Sequence, residues 1–181
     1  MDLFEVIEKR RSIRKFKHAP IPNEDLKKIL EAGRLAPSGG NRQPWRFIVV
    51  RNSETKRALA VAASNQMFIA DADVVVVALG DPKALPKKLP YKLAETRIPY
   101  KQDPMIAVEH MVLAATDLGY GTCWIGAFNE EDVKKILKVP EDLAVIALLP
   151  IGVPAENPPP RPRKAFNEVF FGELYGAPLE L

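Results

Sequence analysis

Cysteine is almost missing from this chain: Cys123 is its single thiol. One thiol leaves no internal disulfide framework, no Cys-x-x-Cys redox pair and no cysteine-held iron–sulfur cluster within one chain. Any redox chemistry must then rest on a bound organic group. Histidine is nearly as scarce, with only His18 and His110. His110 lies beside Glu109, and adjacent helix positions point apart, so neither histidine is read as a ligand and no metal is expected. Apolar runs stop well short of the roughly 20 residues that span a bilayer. Asp2, Glu5 and Glu8 interrupt the N-terminal stretch where a secretory signal would be charged and then apolar. The expectation is a cytoplasmic protein with no membrane partner. No stretch matches G-x-G-x-x-G or G-x-x-x-x-G-K-[ST], which argues against a Rossmann site or a P-loop. Neither a Ser/His/Asp set nor a paired-carboxylate set stands out, so a hydrolase lacks support.

What is present is ordinary in bulk. The 181 residues suffice for one good-sized core, and 47% apolar with 27% charged content is that of a globular chain. A net charge of +3 does not demand nucleic acid, but it suits a small anionic ligand. Seventeen prolines outnumber ten glycines, and their clustering after residue 150 predicts an extended C-terminal stretch.

The most unusual stretch is Arg10-Arg11-Ser12-Ile13-Arg14-Lys15-Phe16, which carries four cations in six positions. Leu3, Phe4, Val6 and Ile7 have helical spacing, so Arg10 and Arg11 are expected in the last turn, where cations suit the helix dipole. A helix end accounts for two of the arginines, and a nucleic-acid patch is a further alternative. Ile13 and Phe16 interleave with the charges, however, and a solvated basic arm would not need them.

Further along, Asn23 is read as the N-cap of a helix carrying Leu26, Ile29, Leu30 and Gly33 inward, with Pro37 beyond its end. Ala36 to Trp45 offers two glycines and the polar groups of Ser38, Asn41 and Gln43, which fit either a ligand-facing loop or a plain helix-to-strand turn. Trp45 to Val50 and Ala72 to Leu79 read as strands, and Val74 to Val77 as a central strand covered on both faces. Residues 81 to 104, broken by five prolines, are expected to form a short helix and a cover. Met105 to Leu118 is apolar almost all round, which predicts a helix in a large core or, preferably, a subunit interface, with Gly119 as its stop. Gly121 to Phe128 reads as a short strand, Asn129 as the cap of the next helix, and Leu143 to Leu149 as a buried strand. Phe166, Val169, Phe170, Phe171, Leu174 and Tyr175 are too apolar for a free tail and should pack on this chain or a partner.

Four stretches in this order resemble the FMN-dependent nitroreductase family: Arg10 to Phe16, Ala36 to Trp45, Gly121 to Gly126, and Arg161-Pro162-Arg163-Lys164. The resemblance covers essentially the whole chain. It implies an α+β fold, a mixed sheet wrapped by helices, as one domain over 1–181, with 154–181 an extended tail packing on the core or on the partner of an intertwined homodimer. It also implies that Arg10, Arg11, Ser12 and Arg14 of one chain touch the phosphate, ribityl chain and ring edge of FMN. Pro37, Ser38, Gly39 and Asn41 of the other chain lie along the flavin. Gly126, with Ala127 beside it, matches the position whose backbone N–H points at flavin N5. Arg161 and Arg163 match a basic pair at the phosphate, and Asn65 a polar flavin contact of some members. The implied activity is hydride transfer from NAD(P)H through flavin to a small-molecule electron acceptor, a nitroaromatic or quinone, in a ping-pong cycle with no side-chain acid or base. Reductive dehalogenation, flavin fragmentation and non-catalytic flavin binding are alternatives on the same fold. Phe68, Tyr100 and Phe128 are read as core, with pocket lining as the alternative. No nucleic-acid partner is expected.

Overall fold

The Val74–Val77 run lies at the centre of the molecule. In the computed structural model, which describes residues 1–84 and 99–181, every residue of this strand is buried. Five strands of the described residues make one sheet: β1 (Phe16–Lys17), β2 (Trp45–Val50), β3 (Val74–Gly80), β4 (Gly121–Thr122) and β5 (Ala144–Pro154). Their order is β1-β5-β3-β2, and β4 also pairs with β5. All ladders between these strands are antiparallel. Among the described residues the parallel component of the expected mixed sheet is the lone bridge Ser12–Thr122.

Among the described residues six helices cover the sheet: α1 (Leu3–Lys9), α2 (Asn23–Arg34), α3 (Ser53–Ala62), α4 (Phe68–Asp71), α5 (Pro99–Asp117) and α6 (Glu130–Leu137). Side chains alternate along β3. Val74, Val76 and Ala78 meet Ile29 of α2 and Val108, Met111 and Val112 of α5 on one face. Val75, Val77 and Leu79 meet Leu59 and Ala60 of α3, Ile69 of α4 and Val133 of α6 on the other. A strand sandwiched this way must be apolar on both faces, and burying each valine stabilises the fold by about 1.5–3 kcal/mol.

The helix signals hold in most places. Asn129 Oδ1 accepts the N–H of Asp132 at 3.2 Å and so starts α6. Gly119 takes a φ of +84° just beyond α5. Three expectations need correction. Asn23 is the first helical residue rather than the cap, and its Oδ1 accepts from Arg51 Nη1 at 3.0 Å instead. The stretch after Gly121 keeps strand pairing only to Thr122, with one further bridge at Ile125. The apolar helix begins at Pro99, not Met105, and packs mainly against α2 and the sheet of its own chain, leaving Met105 and Ile106 exposed.

Pro104 lies inside α5 without breaking it. Proline has no N–H, so the carbonyl four residues earlier, Tyr100 O, loses its helical donor. That carbonyl faces Gly80 at the end of β3, where a Cβ would lie 1.9 Å from it. Of the proposed cover at 81–104, Pro82–Ala84 is a 3-10 turn and residues from Pro99 onward are helical, while 85–98 lie outside the described residues.

Candidate functional site

The basic segment is strapped to the sheet edge by its backbone. Helix α1 ends at Lys9 and Arg10 is its C-cap, so Arg11 lies beyond the last turn rather than in it. The extended chain that follows donates Ile13 N–H to Thr122 O at 2.8 Å, and Phe16 and Lys17 then pair with β5. Ile13 and Phe16 are buried while Arg14 and Lys15 are exposed, which accounts for the interleaved pattern. Gly121 makes the close approach possible. A Cβ there would sit 2.8–2.9 Å from three carbons of Ile13, so only glycine lets the segment lie this near β4.

The result is a cleft of about 830 Å³ walled on one side by Lys9, Arg10, Arg11, Ser12 and Arg14, and on the other by Pro158, Pro159, Pro160, Arg161 and Arg163. Among the described residues six cationic side chains and one acidic one, Glu8, line this space. None of the five arginines is ion-paired among the described residues. Arg11 turns back on α1, donating from Nη1 to Glu8 O at 2.5 Å and to Arg10 O at 2.8 Å. The helix-end role thus falls to this arginine through its side chain. Its Nε is buried and has no hydrogen-bond partner among the described residues. Buried donors rarely stay unpaired, so this one suits a ligand acceptor. Converging, unpaired guanidiniums fit a phosphomonoester of about −1.5 to −2 charges through forked, charge-assisted hydrogen bonds.

The other candidate residues do not line this cleft. Pro37, Ser38, Gly39 and Asn41 lie on the loop after α2. Gly40, Asn41 and Gln43 there take φ values of 59°, 54° and 51°. Left-handed backbone at non-glycine residues stores strain and occurs where a loop is held for a purpose. The loop is held by Ser38 Oγ, which accepts Gln43 N–H at 2.9 Å, and by the buried Asp103, whose Oδ2 accepts Gly39 N–H at 3.1 Å. Asn65, with Ser64 before it, is a second left-handed pair at the end of α3. Gln66 Nε2 donates to Ala63 O at 2.9 Å and reaches Ala127 O at 3.4 Å, which ties the Asn65 turn to the Gly126–Ala127 stretch. Gly126 is exposed, and the space where its Cβ would stand has no heavy atom within 4 Å, so a flat ligand can lie against this backbone. Ala127 and Phe128 border an open groove of about 720 Å³ between α3 and α6. Phe68 and Phe128 are half-buried against the core, and Tyr100 is half-buried.

One chain therefore brings Arg10, Arg11, Ser12, Arg14, Arg161 and Arg163 together. It keeps the Pro37–Asn41 loop and the Gly126–Ala127 backbone apart from them. Asp103, Gln66 and Glu156 hold these stretches in place, and sequence reasoning missed all three. Their partners are backbone groups 64, 61 and 142 positions away, which no local pattern announces.

Cys123 lies beneath the basic segment, 2% exposed. Burial pushes its thiol up, against the opposing pull of Arg14 and a hydrogen bond with Ser12. A thiol that is both buried and protonated is inert. Aromatic disulfide reagents at pH 8 are expected to modify the native chain at least about a hundredfold more slowly than the urea-unfolded chain. Equal rates would contradict this packing.

Comparison with known proteins bears on the same residues. The chain is 34% identical over 186 residues to an NADH dehydrogenase of Thermus thermophilus, covering 89% of this chain and 91% of that one. It is 30% identical over 179 residues to the iodotyrosine deiodinase of Thermotoga neapolitana, covering 92% and 95%. The NADPH:FMN oxidoreductase of Vibrio harveyi, solved in complex with NAD+, superposes with a TM-score of 0.87 at 29% identity, covering all of this chain and 80% of that one. The family model for the Nitroreductase family matches residues 7–153, from the end of α1 through the penultimate residue of β5. The chain belongs to the nitroreductase family.

Proposed function

We propose that this protein is an FMN-dependent oxidoreductase that passes hydride from NAD(P)H to a small electron acceptor such as a nitroaromatic or a quinone. The observation that carries the reading is the convergence of Arg10, Arg14, Arg161 and Arg163 on one cleft, free of ion pairs among the described residues. The Vibrio harveyi relative is named for FMN and NADPH, which supports the same pair here.

In this reading Arg10, Arg11, Ser12 and Arg14, with Arg161 and Arg163, hold the phosphate and the edge of the ring. Gly126 offers a backbone donor on an open surface, with Ala127 next to it, and Asn65 lies at the adjoining turn. When bound, FMN supplies the two-electron chemistry between the nicotinamide and the acceptor in a ping-pong sequence. The protein's part in this reading is to bind, orient and tune the cofactor.

The Pro37, Ser38, Gly39 and Asn41 loop completes the site from a second copy of the chain. Exposed apolar surface supports a homodimer: Phe4 on α1 is 77% exposed, and Phe166, Phe170, Leu174 and Tyr175 stand open along the tail. A lone chain in water does not leave so many aromatic groups uncovered. We read the protein as one domain of the cytoplasm, its 154–181 tail packed against the partner.

The purified protein, supplied with FMN, is expected to turn yellow, to bleach under reduced nicotinamide without oxygen, and to regain colour when a quinone is added. A protein that takes up no flavin overturns the proposal. The relation to a deiodinase supports a second reading, reductive removal of halogen from an aromatic ring. Release of halide from a halogenated tyrosine, compared with turnover of a nitroaromatic, decides between them.

A further inference from the structure

Beyond binding residues, the cleft needs something to hold its two walls at the right separation. The walls come from opposite ends of the chain. One is the basic segment, strapped to β4 and β5; the other is residues 158–163, which belong to no helix or strand. Arg163 donates only to Arg161 O and Pro162 O, its own neighbours, and no hydrogen bond anchors Arg161 among the described residues. Within one chain, therefore, the second wall takes its position from its root.

That root has two attachments. The β1–β5 pairing ends at Phe16–Pro154, and Ala155 N–H then donates to Lys15 O at 2.9 Å. The next donor on the basic segment is Arg14 N–H, and among the described residues no backbone carbonyl receives it. The carboxylate of Glu156 does, at 2.6 Å from Oε1. Beyond it come Asn157 and three consecutive prolines, which have no N–H and cannot extend the pairing. Residues before proline are held extended, so Asn157 to Pro162 forms a stiff arm. At about 3.1 Å per residue, Arg161 lies roughly 15 Å along that arm from Glu156. A stiff arm carries any change of angle at its root out to its tip.

We propose that Glu156 is a positioning residue for cofactor binding: its hydrogen bond to Arg14 N–H clasps the two walls and aims Arg161 and Arg163 at the phosphate. This rests on the flavin reading above. It also explains a carboxylate among arginines, since the group is used as an acceptor for the backbone rather than as a counter-charge.

The test compares binding of FMN with that of riboflavin, which lacks the phosphate. Glu156→Asp keeps the charge but shortens the side chain by one methylene and loses the bond to Arg14 N–H. Glu156→Gln loses the charge but keeps an acceptor at full length. The aspartate variant is expected to weaken FMN about tenfold with riboflavin unchanged, and the glutamine variant to stay within about threefold of wild type for both. Proteolysis of the 155–165 arm should quicken in the aspartate variant alone. The clasp is overturned if both variants keep the wild-type preference for FMN, if FMN and riboflavin weaken together, or if glutamine is the damaging change. A wild-type protein that binds neither flavin overturns the flavin reading itself, whatever Glu156 does.

Discussion

Changing Arg10 and Arg14 together to alanine is expected to lower FMN affinity by roughly two to four orders of magnitude and to move riboflavin affinity by less than about threefold. In the proposed site each guanidinium would offer the phosphate a charge-assisted hydrogen bond, and such a bond contributes roughly 1.5–3 kcal/mol. Two of them correspond to about 3–6 kcal/mol, at 1.4 kcal/mol per factor of ten. The fold should survive. Arg14 is exposed, Arg10 is half-buried at the end of α1, and neither forms an ion pair among the described residues. Buried Ile13 and Phe16, together with the Ile13–Thr122 backbone bond, still hold the segment. Fluorescence titration of both flavins at several salt concentrations gives the answer, because the wild-type preference for FMN should also shrink as salt screens the arginines. Equal losses for FMN and riboflavin would show that these arginines do not hold the phosphate.

Gly80→Ala is expected to destabilise the protein by about 3 kcal/mol or more, although it adds one methyl group. The new Cβ would lie 1.9 Å from the Tyr100 carbonyl oxygen and 3.0 Å from its carbon, and both atoms are backbone. No rotamer change relieves that contact. Either the end of β3 or the first turns of α5 must move, and Pro104 keeps the Tyr100 carbonyl out of the helical ladder. Melting should fall by roughly 6–12 °C for a chain of this size. Gly126→Ala is the companion measurement, since its Cβ meets nothing within 4 Å and its cost should be below about 0.5 kcal/mol. Both are to be compared at one protein concentration, because dimerisation would make melting concentration-dependent. A Gly80→Ala protein as stable as wild type would mean that α5 does not begin against the end of β3.

Much of the fold was legible because it rests on local chemistry. The Val74–Val77 run could only be an interior strand, and the spacing of Leu26, Ile29 and Gly33 could only be one helix face. Asn129 and Gly119 mark helix ends through bonds that close within a few residues. Where competing local solutions exist, the sequence misled. Arg10 and Arg11 suit a last helical turn, but strand pairing from Ile13 onward pulls the chain straight after Lys9. Asn23 is a good cap, yet its side chain serves Arg51 from the neighbouring strand end instead. The all-apolar helix also packs on α2 and both central strands of its own chain, partners too distant in sequence for its pattern to name.

By itself, then, the sequence determined most of the helices and the central strands, the faces they bury, and that the Arg10–Arg14 run keeps one side in the core. Those properties depend on residues within a turn or two of each other. Only the tertiary structure decided how Arg161 and Arg163, which the family resemblance puts at a phosphate, return within one chain to the cleft of Arg10 and Arg14, that Gly121 admits Ile13, and that Glu156 meets Arg14 N–H across 142 positions. These are long-range pairings, set by the order of strands around β5 and by the stiffness of a proline arm. A one-dimensional pattern carries no information about either until the chain has folded.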